Sequence, residues 1–146
     1  MRRFGAALFA VATLAACGSG GSPYPAGWEQ QPGTPSLWVK GPGALRQTYA
    51  YSKEAFDGTL QDLAQREIVN AALRKHGVKL VKSDVYAPCP GVAAIATFAR
   101  GDETLQDAFA VENGSAVVVR YDRPAAAHDD PAAAAAMQRA LCVAPA

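Results

Sequence analysis

The sequence predicts an α+β fold: an antiparallel sheet of about four to five strands with a three-stranded meander (about 92–122), one long helix (about 60–76) and a C-terminal alanine-rich helix (about 131–142). Three observations carry this expectation. Gly101-Asp102 and Asn113-Gly114 punctuate three runs rich in β-branched and aromatic residues, the pattern of consecutive hairpins. From Leu60 to His76, apolar residues recur at helical spacing and end at Arg74-Lys75-His76-Gly77, whose cations suit a helix C-terminus and whose glycine suits the stop. Asp130-Pro131 then opens a run of alanines, with an N-cap residue followed by proline at the first helical position.

Taken in order, residues 18–35 are rich in Gly, Ser and Pro, the composition of a flexible tether with local stiffening. Trp28 and Trp38 are unusual in a linker and are expected to fold back on the domain rather than to dip into a membrane interface. Gly41-Pro42-Gly43 breaks the chain, and Leu45 to Tyr51 alternates as a short strand. Asp57, Thr59 and Asp62 offer N-cap candidates for the long helix. On a helical wheel Leu60, Ala64, Ile68, Val69, Ala71, Ala72 and Leu73 fill the apolar arc; Arg66, Glu67, Asn70 and Arg74 fill the exposed one, with Asp62–Arg66 as a surface ion pair. Val78 to Ala87 reads as a strand whose alternation slips near Lys82, which points to a bulge.

Two-residue turns fix the register of the meander. Phe98 should face Leu105, Ala94 should face Phe109, Phe109 should face Val118, Val111 should face Ala116, and Asp107 should face Arg120 as a cross-strand salt bridge. One face then carries Ala94, Phe98, Leu105, Phe109, Val111 and Val118; the other carries Ile95, Ala108, Ala110, Val117, Val119 and Tyr121. Both are apolar, so both need cover. An incompletely covered face would be a binding surface, and Phe98, Phe109, Val118 and Tyr121 are its candidates.

The N-terminus has Arg2 and Arg3, an apolar block from Phe4 to Leu14, and Leu14-Ala15-Ala16-Cys17 followed by Gly18. This layout resembles the signal peptide and lipobox of bacterial lipoproteins. The block is shorter than the roughly 20 residues a bilayer span needs. The resemblance covers the first 17 residues and implies a signal peptide at 1–16 and lipidation of Cys17 with palmitate-type acyl chains; composition and length then give a tether at 17–36 and a single domain at 37–146. Gly18 after the cysteine implies the periplasmic face of the outer membrane.

With Cys17 assigned to lipid, Cys89 and Cys142 remain as an expected disulfide in an oxidising envelope, worth about 4 kcal/mol in the chain-entropy model. Cleavage leaves 12 basic against 13 acidic residues, a formal charge of −1, which argues against nucleic acid as a partner. No metal site or cofactor is expected, since cysteine and histidine spacings fit none. His128-Asp129-Asp130 has the atoms for an acid/base or metal site, but its acids sit where a helix N-terminus favours negative charge. Arg100-Gly101-Asp102 spells an integrin-type tripeptide that ordinary turn chemistry explains. Nucleophile-elbow, zincin and P-loop patterns are absent. The expected function is therefore a non-catalytic, lipid-anchored binding or accessory module, held to the membrane by its lipid and partnered by an envelope protein or lipid. The alternative is a lipid-anchored enzyme or small-ligand binder with a cystatin-like or cone-shaped pocket.

Overall fold

The computed structural model describes residues 21–86 and 92–141. Cys17, Cys89 and Cys142, and with them the lipidation and disulfide expectations, lie outside the described residues. The strands are β1 (Glu29–Gln30), β2 (Leu37–Lys40), β3 (Gln47–Ala55), β4 (Lys79–Tyr86), β5 (Ala93–Arg100), β6 (Glu103–Glu112) and β7 (Ser115–Pro124); the helices are α1 (Leu60–Arg74) and α2 (Pro131–Leu141). All seven strands join one sheet in the order β1-β2-β3-β7-β6-β5-β4, each neighbour antiparallel.

Seven strands correct the expectation of four to five. The two additional strands, β1 and β2, come from the segment read as tether and from its junction with the domain. Proline and glycine hide their period in the sequence, and tertiary contacts hold them. Trp28 is 5% exposed and sits edge-on to Tyr49 and Tyr121. Tyr24 stacks on Trp38, with centroids 5.0 Å apart. The tether expected to reach residue 36 is thus packed against the domain from about Ser22 onward.

Within the meander, Phe98–Leu105, Ala94–Phe109, Phe109–Val118, Val111–Ala116 and Asp107–Arg120 are all register partners. Both turn residues Asn113 (φ 45°) and Gly114 (φ 72°) occupy the left-handed region, as a type I′ turn requires. The slip in β4 falls between Leu80 and Lys82. One sheet face packs Ala94, Phe98, Leu105, Phe109 and Val118 with Leu63 and Ala71 of α1. The opposite face packs Ala108, Ala110, Val117, Val119 and Tyr121 with Ala133, Ala136, Met137 and Ala140 of α2. The small side chains of α2 admit close approach to the sheet. Each helix covers one face, so the molecule is three-layered, unlike a pocket closed by a single helix on one face.

Covering both faces removes the candidate binding surface. Phe98, Phe109, Val118 and Tyr121 are all buried core residues. Their mixture of aromatic and branched side chains reads as core whenever each face has its own helix.

Candidate functional site

The helix that covers β5 and β6 starts cleanly. Thr59 caps it, with the Asp62 backbone N–H donating to Thr59 Oγ1 at 3.1 Å and the Thr59 backbone N–H donating back to Asp62 Oδ2 at 2.8 Å. The Thr59 hydroxyl also donates to Asp62 Oδ2 at 2.6 Å, and this bond, together with the one from the Thr59 backbone N–H, holds the Asp62 carboxyl below its ordinary range. Asp62 is therefore committed to the cap, and Arg66 turns instead to Glu54 of β3 and to Glu67; the expected Asp62–Arg66 pair is absent among the described residues.

The buried stripe of α1 is Leu63, Glu67 and Ala71, while Val69 and Leu73, assigned to the core by the wheel, are 53% and 79% exposed. The helix is rotated from its hydrophobic optimum because the sheet beneath it carries charge. Asp107 and Arg120 project to the α1 side from the centres of β6 and β7, between Leu105, Phe109 and Val118. They are register partners, yet they do not pair with each other. Arg74 Nη2 donates to Asp107 Oδ2 at 2.6 Å, and Arg120 Nη2 donates to Glu67 Oε2 at 2.7 Å. The expected cross-strand salt bridge is replaced by two helix-to-sheet bridges.

Glu67 is 2% and Asp107 1% exposed, so two carboxylates lie in the dry layer, each held by a guanidinium that is about one third exposed. Burial pushes the Asp107 carboxyl up to about 6; the charge and hydrogen bond of Arg74 only partly counter it, and Asp122 and Glu67 add repulsion. Past the end of α1, Lys75 Nζ reaches Asp122 Oδ2 at 2.7 Å and extends the network to the surface. Arg74, Lys75, Arg120, Asp107 and Asp122 line a cleft of about 250 Å³. It adjoins a second cleft of about 330 Å³ that shares Lys75 and Asp122 and includes Arg46, Asp102 and Arg123. The result is a continuous groove of alternating charge at the C-terminal end of α1.

The other sequence candidates serve the scaffold. Asp129 Oδ1 accepts from Arg123 Nε at 2.6 Å, and His128 is exposed. Asp130 accepts from the backbone N–H groups of Ala132 and Ala133, from Trp28 Nε1 at 3.3 Å and from Lys40 Nζ at 2.6 Å. Burial opposes ionisation of Asp130, but these four donors outweigh it and hold the carboxyl below its ordinary range. Among the described residues no cluster of three metal-binding side chains forms. Arg100 bonds the His76 carbonyl and Glu103, which leaves the Arg-Gly-Asp turn a structural hairpin tip.

Sequence reasoning missed Glu67 and Arg74. The available signal was the placement of Asp107 and Arg120 on a strand face otherwise apolar, because buried charges demand partners from whatever covers them. Glu67 and Arg74, seven residues and two turns apart, are the complementary pair on the covering helix.

The fold and groove define the class: an antiparallel sheet between two helices, with a charged cleft beside the end of one of them. No family model matches the chain, and no curated protein matches it. Among solved structures it is similar to PA94 from Pseudomonas aeruginosa, a protein of unknown function suggested to be a regulator, with a TM-score of 0.57 and 20% identity over 84% of this chain and 88% of that one. A looser match is the solution structure of cyanobacterial PsbP (CyanoP) from Synechocystis sp. PCC 6803, with a TM-score of 0.46 and 11% identity over 69% of this chain and 72% of that one. The likeness to PA94 is one of fold. Among the described residues no helix is long and apolar enough to cross a membrane.

Proposed function

We propose that this chain is a lipid-anchored protein of the bacterial cell envelope, acylated at Cys17 on the periplasmic face of the outer membrane, and that its domain is a non-catalytic accessory module. The groove at the end of α1 is its binding site, and its partner is an envelope protein that presents a segment carrying both charges. One observation carries the non-catalytic reading: the three buried carboxylates of the described residues are each bound by cations from other elements. Glu67 is held by Arg120, Asp107 by Arg74, and Asp130 by Lys40. Groups spent on fastening helix to sheet are not free to act as acids or bases, whereas Arg46 and Asp102, both exposed, are offered to a partner at the rim. Cys89 and Cys142 form a disulfide in this reading; it is supported by Ala93, at the start of β5, and Leu141, at the end of α2, sharing one core cluster.

The test is photocrosslinking in the native envelope from position 46, which is exposed at the groove rim, with the chain lipidated and with Cys17→Ser. A specific protein adduct from the lipidated form is the expected result. Absence of any adduct above background in both forms would defeat the groove as a partner site.

A further inference from the structure

We infer that the aromatic corner where the N-terminal segment meets α2 rests on the membrane surface, so that residues 22–36 clamp the domain to the bilayer instead of spacing it away. This rests on the acylation of Cys17 proposed above. Three successive carbonyls at the start of the described chain are gripped by the domain. Arg139 of α2 donates from Nε to the Ser22 carbonyl at 2.8 Å and from Nη2 to the Tyr24 carbonyl at 3.3 Å; Tyr49 Oη donates to the Pro23 carbonyl at 2.8 Å. Tyr24 is held from the side by Trp38 and edge-on by Tyr51 at 5.8 Å. Only residues 18–21 separate Cys17 from this grip. Even fully extended, they let Ser22 lie no more than about 17 Å from the acylated residue, against several nanometres for a 20-residue coil.

The surface brought so close has interfacial chemistry. An open groove of about 570 Å³ is lined there by the partly exposed Tyr24 and Trp38, by exposed Ala26 and Gly27 and by Arg139, with Pro25 and Trp28 buried behind them. Tyr and Trp pair an apolar body with a polar tip, which suits them to the headgroup layer. A phospholipid surface is thus the occupant that the short leash and the aromatic lining select.

Trp28 and Trp38 are the chain's two tryptophans, and Trp28 is buried in the core, so quenching of indole emission by lipid reads Trp38. The lipidated protein, floated with phosphatidylethanolamine–phosphatidylglycerol vesicles, should lose tryptophan emission when the lipid is brominated near its headgroup, and the loss should shrink in Trp38→Phe. A photocrosslinker replacing exposed Ala26 should label phospholipid. Acylated, vesicle-bound protein with no quenching, or with Ala26 adducts to protein alone, would overturn the docking surface and leave the lipoprotein reading standing. A Cys17 peptide without acyl mass would overturn both.

Discussion

Asp107 is ionised and bound to Arg74 at neutral pH and largely protonated at pH 5, because its folded pKa of about 6 lies above the roughly 3.9 of an unfolded aspartate. Between those values the folded state holds a proton that the unfolded state has released. The stability this group contributes is therefore fully present below about pH 4 and is lost as pH rises through about 6. Denaturant titrations at pH 4.5 and 7.5 should show the native protein losing stability relative to Asp107→Asn as pH rises; a constant difference would show an ordinary carboxyl. Arg74→Ala leaves a buried carboxylate without its cation and should cost roughly 2–4 kcal/mol at pH 7.5, less than a fully buried pair would because Arg74 is partly exposed. The same substitution should cost less at pH 5, where Asp107 is neutral. Replacing both by leucine should restore much of the loss, which a double-mutant cycle measures.

Among the elements, α2 has the most concentrated support, since one side chain caps it and ties it to β2 and to the N-terminal segment. Asp130→Ala removes two cap bonds, the Trp28 indole bond and the Lys40 ion pair together. The expected loss is about 2 kcal/mol or slightly more, at the upper end for a cap, read from thermal unfolding. A loss no larger than that of an exposed surface substitution would mean that these bonds are not made together. This cap was legible in the sequence because Asp-Pro before an alanine run is a local signal. The meander was legible for the same reason: Asn113-Gly114 and Gly101-Asp102 fix the register, and register fixes faces. The lean of α1 was not. Seven apolar residues spread over a broad arc leave the wheel's orientation undecided, and the decision came from Asp107 and Arg120, more than thirty residues further on. β1 and β2 were illegible because two and four residues hold no period, and what orders them is aromatic contact with β3 and β7.

On the scale of the whole molecule, the N-terminal segment completes the core instead of merely leading to it. Trp28, Tyr49 and Tyr121 share the α2-side cluster. A chain starting at Glu29 should melt at lower temperature and bind a hydrophobic dye, whereas one starting at Gly21 should match one starting at Cys17 in both. Equal behaviour of the two would reduce residues 21–28 to a leader. Exposed Leu80, Val81 and Val85 crowd β4 at the sheet edge, where the Leu80/Lys82 irregularity and the Lys82–Asp84 pair discourage another strand from adding.

β3 hydrogen-bonds to β7, and the partners Tyr49 and Tyr121 stand 72 positions apart. A chain delivered N-terminus first would present β3 long before its neighbour arrives. Closing that loop costs more chain entropy than closing either tight hairpin, so the β3–β7 seam is expected to form after the β5–β6 and β6–β7 hairpins.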